Sequence, residues 1–332
     1  MARIAVIGAG AWGTALSIVL ARNPAHEVHL WAFEKEVCDS IATRRVNQLF
    51  LPNVQLPESI RVSDQLADTV SGAELIVSVM PSHHCRAVFK QIAKNGSLGK
   101  TAVVSATKGI EEGSLLRMTQ VISEVLDSKA IAALSGPSFA KEVARGDPTA
   151  ITVASSDPAL AARVQREFSD SRFRIYTTDD VAGVELGGSL KNVIAIAAGV
   201  CDGLGLGHNT AAALITRGLA EITRLAVACG AKPQTLAGLA GMGDLVLTCT
   251  GGLSRNRSVG VELGKGRQLP EIIAGMHGMV AEGVHTTNAA IGLAQKHKIE
   301  MPITEQMHAI LHQGKPPREA IHALMTRPGK VE

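Results

Sequence analysis

The feature that most constrains this chain is a glycine-rich loop near its N-terminus, between a predicted strand and a predicted helix. Residues 3 to 7 form a β-branched run typical of a strand buried on both faces, and residues 14 to 21 are typical of a following helix. Between them lies G-x-G-x-x-G, formed by Gly8, Gly10 and Gly13. The first glycine of this motif permits a tight turn, the second lets backbone approach a pyrophosphate, and the third allows close helix packing. In this setting the motif predicts dinucleotide binding rather than a merely glycine-rich turn.

Strand and helix patterns alternate through the first half of the chain, which predicts an α/β doubly wound domain with a parallel sheet. The further predicted strands are residues 27–31, 74–79, 101–105, 130–134, 149–154 and 172–177, and the predicted helices are residues 34–45, 82–94, 113–127 and 158–168. Residues 47–60 break the alternation with Pro52 and Pro57, and we interpret them as an irregular excursion.

The second half of the chain loses its extended runs from Val181 onward and carries helical spacing of Ala, Leu, Ile and Gly. Turn signals divide it into six to eight predicted helices. Because 332 residues exceed the usual size of a single-core domain, two domains are expected. We predict a Rossmann-like dinucleotide-binding domain over residues 1–181 and an all-helical substrate-binding domain over residues 182–332.

Composition narrows the class of protein. The net charge of +3 and the aromatic content of 3% leave little to bind nucleic acid, so we expect no nucleic-acid partner. Residues 4–20 are apolar enough to imitate a secretory segment, but the motif glycines interrupt them, so we expect no targeting segment and no membrane insertion. The five cysteines are scattered and form no C-x-x-C, which favours a reducing cytoplasm without disulfides.

Polar residues that follow the predicted strands are candidates for the site, because a doubly wound sheet binds ligands at the carboxyl ends of its strands. His83 and His84 are adjacent, so we favour a surface helix start over metal binding or catalysis. Lys108 lies between a buried strand and a glycine, where it either serves the site or is a solvated loop cation. Residues 135–140 could hold an anion or a ribose hydroxyl, or form a helix start without ligand, with Pro137 suited to the first helical position.

The most informative stretch of the second half is residues 184–199, a helix that is apolar nearly all round and contains Lys191. Burying a lysine is costly unless its charge is paired or its pKa is lowered, and a lowered pKa suits a proton donor and acceptor. The alternative is that Lys191 extends to the surface. Gly187 and Gly188 weaken this helix, which indicates close approach of a ligand or of another backbone.

A predicted anion site follows at residues 251–257. Ser254 is placed to cap a helix whose first turn carries Arg255 and Arg257, an unfavourable charge for the helix dipole that a bound phosphate would correct. Asp244 and Glu282 are isolated carboxylates beside glycines, suited either to accepting hydrogen bonds from hydroxyls or to capping helices.

Together these residues resemble NAD(P)-dependent glycerol-3-phosphate dehydrogenase of the bacterial type, over nearly the whole chain. The resemblance is carried by residues 190–209, with Leu190-Lys191-Asn192 at their start, and by the N-terminal fingerprint with Trp12. One departure is visible after the second strand. Phe33 and Glu34 stand where many members carry Arg or His for a 2'-phosphate, which argues against a strong preference for NADP.

The resemblance implies roles for individual residues. Lys191 is the expected proton donor and acceptor, with Lys108 and Asn192 orienting the reacting oxygen. The residues implied to bind the substrate are Lys108, Gly136, Ser138, Lys191, Asp244, Ser254, Arg255 and Asn256. The residues implied to bind the cofactor are Ala11, Trp12, Lys108, Ala140, Arg255, Val280 and Glu282. To these we add the motif glycines Gly8, Gly10 and Gly13, and Phe33 after the second strand.

The implied reaction is the interconversion of dihydroxyacetone phosphate and sn-glycerol 3-phosphate by hydride transfer with NAD or NADP, without a metal. The implied role is supply of glycerol phosphate for phospholipid synthesis by a cytoplasmic homodimer. Two rival functions differ in the second half of the chain. A reductase of 3-hydroxy acids would need a carboxylate clamp in place of residues 254–256, and a non-catalytic nucleotide sensor would have no reason to bury Lys191.

Overall fold

An eight-stranded sheet forms the centre of the first half of the protein. We describe it from a computed structural model that covers residues 2–94, 99, 101–276 and 279–329. The strands of this sheet are β1 (Ala2–Ile7), β2 (His26–Trp31), β5 (Ile60–Ser63), β6 (Leu75–Ser78), β7 (Ala102–Ser105), β8 (Ile131–Ser135), β9 (Thr149–Ala154) and β10 (Phe173–Thr178). Their order across the sheet is β10-β9-β8-β7-β6-β1-β2-β5. A separate hairpin is formed by β3 (Val46–Asn47) and β4 (Leu51–Gln55).

Most neighbouring strands pair in parallel, but β8 and β9 pair antiparallel. The prediction of a parallel sheet is therefore wrong at this one pair, although the sheet as a whole is dominated by parallel pairs. Between β8 and β9 the chain forms one helix of only six residues, Ala140–Arg145. An antiparallel return needs no helical crossover of the sheet, which is why so short a helix is enough.

Helices cover both faces of the sheet, as the alternating pattern predicts for a Rossmann-like domain. They are α1 (Ala11–Ala21), α2 (Lys35–Arg44), α3 (Leu66–Val70), α4 (Cys85–Lys94), α5 (Met118–Leu126), α6 (Ala140–Arg145) and α7 (Pro158–Phe168). Alternate residues of β1 pack into two different apolar clusters, with Ile4 and Val6 in one and Ala5 and Ile7 in the other. The continuous apolar run of β1 thus reflects a strand buried on both faces.

In its described residues, the second half of the chain contains only helices, as predicted. They are α8 (Val181–Gly203), α9 (His208–Ala228), α10 (Pro233–Ala237), α11 (Asp244–Thr250), α12 (Arg255–Gly264), α13 (Leu269–Ala274), α14 (Glu282–His297), α15 (Pro302–Gln313) and α16 (Pro317–Met325), with a π-helical turn at Leu239–Gly243. The number of helices is larger than predicted because α10 and α13 have only five and six residues, too few to show a helical period in sequence.

The helix α8 is long and apolar enough to cross a membrane by length and composition, but its most apolar window is entirely buried inside the protein. Contacts divide the chain into two compact units. The first contains Met1–Lys108 and Leu116–Glu185, and the second contains Gly109–Leu115 and Leu186–Glu332. The domain boundary at residue 181 stays a prediction.

Two local predictions are wrong. The excursion at residues 47–60 contains most of the β3–β4 hairpin and the first residue of β5, which pairs in parallel with β2 through Ile60 and Val28. The helix predicted over residues 113–127 begins only at Met118. Gly113 and Leu115 have φ angles of 85° and 59°, outside the helical region, and so delay the helix start.

Candidate active site

The glycine loop after β1 has the backbone form that a pyrophosphate site needs. Gly8 has a φ angle of 117°, and a Cβ atom there would lie 2.6 Å from the Val79 carbonyl oxygen. A Cβ atom on Gly13 would lie 1.9 Å from the Gly8 carbonyl oxygen, so α1 packs directly on the loop. Gly10 faces open space, and α1 begins at Ala11 without a side-chain cap. Its first amides are therefore available to an anion.

Two aromatic residues beside this loop fit a nucleotide. The indole Nε1 of Trp12 is buried and has no hydrogen-bond partner among the described residues. Phe33 follows β2 with 76% of its surface exposed, and its ring centroid lies 6.0 Å from that of Trp31. An open glycine, uncapped helix amides, an unsatisfied indole and an exposed ring form a set that a bound dinucleotide would complete.

Three residues predicted to bind substrate meet at one carbonyl group in the first unit. Lys108 Nζ donates to the Gly136 carbonyl oxygen at 3.4 Å, and Ser138 Oγ donates to the same oxygen at 2.9 Å. Lys108 is half-buried, which is more enclosed than a solvated loop cation. Near them, Ser135 Oγ is buried without a partner among the described residues.

The segment that follows β8 differs from its prediction. Pro137 is not at the first helical position, because α6 begins at Ala140 with Phe139 as its N-cap. Gly136 has a φ angle of 146°, so the chain first turns sharply and only then enters the helix. Ala140, predicted to contact the cofactor, is the first residue of α6.

His83 and His84 are exposed in a 3₁₀ turn that leads into α4, in keeping with a surface helix start. Their ring centroids lie only 3.9 Å apart, although adjacent side chains on an α-helix do not face each other. Within the described residues, no group of three or more His, Cys, Asp or Glu side chains has an arrangement that could hold a metal ion.

In the second unit Lys191 is buried, with 6% of its surface exposed, and does not extend to solvent. Its Nζ donates to Asp244 Oδ1 at 2.7 Å and to Thr248 Oγ1 at 2.5 Å. Asp244 is 1% exposed and Thr248 is 4% exposed, so the ion pair is shielded from water. Pairing with a carboxylate thus replaces the hydration that burial removes from the ammonium group.

Helical spacing brings the two partners of Lys191 together. Asp244 and Thr248 are the first and fifth residues of α11, so their side chains share one face of that helix. Thr248 Oγ1 also donates to the Asp244 carbonyl oxygen at 2.6 Å, which fixes the hydroxyl group. Sequence reasoning missed Thr248, although its i+4 spacing from Asp244 was the signal that could have revealed it.

Cys249, next to Thr248, is buried but chemically quiet. Burial raises the pKa of its thiol to about 12, an effect that the positive charge of Lys191 opposes and the negative charge of Asp244 reinforces. The thiol is therefore neutral near pH 7 and does not compete with Lys191 as a proton acceptor.

A chain of amide groups joins three helices of the same unit. Asn256 Nδ2 donates to Asn192 Oδ1 at 3.0 Å, and the backbone amide of Gly283 donates to Asn256 Oδ1 at 2.9 Å. Asn192 follows Lys191 in α8, Asn256 lies in the first turn of α12, and Gly283 lies at the start of α14. The residues predicted from sequence at positions 192 and 256 are thus in direct contact.

The start of α12 carries the unbalanced positive charge predicted for an anion site. Ser254 caps the helix by accepting a hydrogen bond from the Arg257 amide at 3.2 Å, and the first turn contains no acid. Arg257 Nη2 is paired with Asp202 Oδ2 at 2.9 Å. Arg255 is exposed and has no ion pair within 4 Å in the described part of the chain.

Nearby protein atoms lower the pKa of Arg255 by desolvation, and the charge of Glu282 opposes that shift. Because the side chain is exposed, solvent weakens both effects, and Arg255 remains a cation. Glu282 begins α14, and Val280 lies two residues before it, half-buried.

Glycines set how closely the other helices approach α8. A Cβ atom on Gly199 would lie 2.0 Å from the Arg257 carbonyl oxygen, and one on Gly260 would lie 2.0 Å from the Ile196 carbonyl oxygen. The backbones of α8 and α12 therefore touch. A Cβ atom on Gly187 would lie 2.5 Å from the Ala240 carbonyl oxygen, so a neighbouring backbone, rather than a ligand, accounts for the glycine at that position.

Comparison with known proteins identifies the family. The protein-family model for the N-terminus of NAD-dependent glycerol-3-phosphate dehydrogenase matches residues 3–161. The family model for the C-terminus of the same enzyme matches residues 180–322. The chain belongs to this family. It is therefore an oxidoreductase that uses NAD or NADP, with a Rossmann-like domain followed by a helical region.

Individual relatives agree with this assignment. The chain is 67% identical over 335 residues to glycerol-3-phosphate dehydrogenase (NAD(P)+) of Koribacter versatilis, covering 100% of this chain and 99% of that relative. It is 55% identical over 339 residues to the enzyme of the same name from Acidobacterium capsulatum, with 100% of both chains covered. Among solved structures, glycerol-3-phosphate dehydrogenase from Coxiella burnetii superposes with a TM-score of 0.94 at 43% identity, covering 98% of this chain and 99% of that one.

Proposed function

We propose that the protein reduces dihydroxyacetone phosphate reversibly to sn-glycerol 3-phosphate. The observation that carries this proposal is the buried Lys191, held between Asp244 and Thr248. A buried ion pair often stabilises a protein less than apolar side chains of the same volume would, whereas reduction of a carbonyl needs a proton donor. The family membership of the chain supports the same reaction.

In the proposed mechanism, the loop from Gly8 to Gly13 would hold a dinucleotide, which would supply the hydride for the carbonyl carbon or accept one from it. Lys191 Nζ donates a proton to the substrate oxygen as alkoxide charge develops there. Asp244 and Thr248 hold Nζ by hydrogen bonds of 2.7 and 2.5 Å, so the donor is oriented before substrate binds. Asn192 helps to orient the oxygen, and its own position is fixed by Asn256.

We assign the phosphate group of the substrate to the start of α12. The guanidinium of Arg255 offers two parallel donors, and the amides that follow Ser254 add the positive end of the helix dipole. Arg257, already paired with Asp202, is less suited to this role. Binding of the phosphate group orients the reacting carbon, although the two groups lie at different positions in the substrate.

The other site assignments rest on the family resemblance and on local geometry. We propose that the loop from Gly8 to Gly13, with Trp12 and Phe33, binds the dinucleotide. Ala140, Val280 and Glu282 are proposed to contact the cofactor, and Gly136 and Ser138 the substrate. Lys108 is proposed to serve both ligands. These roles are supported by the open Gly10, the uncapped α1 and the shared carbonyl of Gly136.

We further propose a cytoplasmic homodimer that supplies glycerol phosphate for phospholipid synthesis. The five free cysteines are consistent with a reducing compartment. Exposed apolar side chains on α9 and α11, and on the π-helical turn before α11, offer a surface for a second copy. These side chains are Val227, Met242 and Val246. Light scattering of the purified protein measures the oligomeric state directly.

The reaction is tested by following absorbance of the reduced nicotinamide. The purified protein should oxidise NADH or NADPH when given dihydroxyacetone phosphate, and should not respond to ketopantoate, 6-phosphogluconate or 3-oxo acids. A substrate without a matching phosphate would not form the hydrogen bonds that Arg255 offers, each worth about 1.5 to 3 kcal/mol when made to a charged group. Oxidation with a 3-oxo acid, but not with dihydroxyacetone phosphate, would overturn the proposal in favour of a 3-hydroxy acid reductase.

A further inference from the structure

Asn47 lies at the end of β3 and contacts the glycine loop, although the two are far apart in sequence. The side chain is fully buried. Its Nδ2 donates to the Ala9 carbonyl oxygen at 2.7 Å and to Thr14 Oγ1 at 2.8 Å. Ala9 lies between the first two glycines of the motif, and Thr14 lies in the first turn of α1. A single amide group therefore bridges the loop and the helix that it enters.

The direction of this contact matters because a peptide group is planar and trans, so its C=O and N–H point in opposite directions. The Ala9 carbonyl belongs to the same peptide group as the Gly10 amide. Holding that carbonyl on Asn47 fixes the Gly10 N–H so that it points away from Asn47. Gly10 has open space where a side chain would lie. Because glycine restricts its backbone dihedral angles little, the peptide group before it would otherwise change orientation easily.

We propose that Asn47 is a positioning residue, which fixes the orientation of the Gly10 amide for the pyrophosphate of the dinucleotide. This inference rests on the proposed role of the glycine loop in cofactor binding. It gives the hairpin of β3 and β4 a function, namely to carry one amide group to the loop. Preorganised donors bind an anion more tightly because little conformational entropy is lost in orienting them when the anion binds.

The surroundings of Asn47 hold its amide in the required orientation. The backbone amide of Phe50 donates to Asn47 Oδ1 at 3.0 Å, which leaves Nδ2 directed at the loop. Ser40 Oγ donates to the Val46 carbonyl oxygen at 2.6 Å and so ties the hairpin to α2. On the other side of the hairpin, the Leu56 amide donates to the Arg45 carbonyl oxygen at 2.8 Å.

The test compares Asn47→Asp and Asn47→Ala with the wild type in NADH binding, measured by fluorescence at 25 °C. Asn47→Asp keeps the shape and the acceptor for Phe50, but it has no donor for Ala9. The Ala9 carbonyl oxygen would then keep only the longer hydrogen bond from Thr14 Oγ1, at 3.4 Å. We expect the Kd for NADH to rise about tenfold or more in both variants, since the peptide group loses its shorter hydrogen bond and is held less firmly. ADP-ribose, which contains the pyrophosphate, should lose as much affinity as NADH.

Two further measurements separate positioning from simple stability. At saturating NADH, the KM for dihydroxyacetone phosphate should stay within about twofold of wild type, because the substrate anchor is not altered. Thr14→Val removes the second acceptor of Asn47 and also the hydrogen bond that Thr14 Oγ1 donates to the Ala9 carbonyl oxygen at 3.4 Å. Combined with Asn47→Asp it leaves that carbonyl without either side-chain donor, so the double variant should bind NADH more weakly than either single variant. Gln48→Ala, an exposed neighbour on the hairpin, is the matched control and should bind NADH as the wild type does.

The outcomes are distinct. If Asn47→Asp lowers the thermal midpoint but binds NADH and ADP-ribose as tightly as wild type, the residue is structural and the inference is overturned. If the wild type itself binds neither NADH nor NADPH, the proposed role of the loop fails and the inference fails with it. A rise in the Kd for NADH in both variants, shared by ADP-ribose and absent in Gln48→Ala, supports the inference.

Discussion

The glycine loop of the first unit and the Lys191 site of the second are built in opposite ways. The loop offers backbone amides, and its geometry follows from glycines within six residues of one another. The Lys191 site offers side chains, and Lys191 lies 53 positions before its partner Asp244. A site made of backbone depends on its glycines and on the contacts that hold its peptide groups, such as that of Asn47, whereas a site made of buried charged side chains depends on each member. The following predictions test that contrast.

The largest effect is expected at Lys191. Lys191→Ala should lower kcat by about two to four orders of magnitude, the usual contribution of a general acid or base, while the Kd for NADH stays near that of wild type. Steady-state kinetics and fluorescence titration provide the two measurements. Lys265→Ala, which removes an exposed lysine paired with Glu262, is the control and should retain full turnover. Near-normal kcat in Lys191→Ala would show that another group carries the proton.

A smaller loss is expected at Arg255, the proposed anchor for the substrate phosphate. Arg255→Ala should lower kcat/KM for dihydroxyacetone phosphate by about 10- to 100-fold, the value of a hydrogen bond to a charged group, with little effect on unphosphorylated dihydroxyacetone. Arg257→Ala provides the comparison in the same helical turn, because that guanidinium is already paired with Asp202. An equal loss on both substrates would assign Arg255 to the cofactor or to the fold.

The preference between NADPH and NADH is expected to be smaller than these losses of activity. We expect no more than about a tenfold preference for NADPH in kcat/KM, because an acid about twenty residues after the glycine motif, here Glu34, is expected to bind a ribose 2'-hydroxyl and to repel a 2'-phosphate. The nearby basic residues have other partners. Arg45 Nη2 donates to the Ile60 carbonyl oxygen at 2.9 Å, and Lys35 is paired with Asp39 at 2.8 Å.

Substitution sharpens this prediction. Glu34→Gln should raise kcat/KM for NADPH relative to NADH, whereas Glu36→Gln, two residues further along the chain in the first turn of α2, should leave the ratio unchanged. A stronger preference for NADPH in the wild type would mean that Arg44 or another cation reaches the 2'-phosphate.

The smallest effect is expected at Cys249. Its pKa of about 12 lies above the ordinary value, so the neutral thiol is favoured in the folded protein at all pH values below about 12. At pH 8 only about one thiol in ten thousand is ionised, and iodoacetamide should neither label Cys249 nor reduce activity. Peptide mass mapping checks the labelling, with protein unfolded in denaturant as the positive control. Rapid native labelling would show that the pocket of Lys191 admits solvent.

Much of the architecture could be predicted because its signals are local. Apolar runs of five or six residues identified the central strands, and the disappearance of such runs after residue 181 identified the helical half. The hairpin of β3 and β4 was missed because its prolines resemble those of a loop. The antiparallel pairing of β8 and β9 was missed because strand direction depends on how the chain returns across the sheet.

The sequence by itself determined that Gly8, Gly10 and Gly13 form a tight loop between a strand and a helix and that Lys191 lies in an apolar helix, since both follow from local spacing along the chain. Only the tertiary structure decided how the buried charge is compensated. It placed Asp244 and Thr248 on Lys191, and it placed Asn47 on the Ala9 carbonyl. These contacts join residues that are distant in the chain. Spacing along α11 places Asp244 and Thr248 on one helix face, but it does not show which distant residue that face meets.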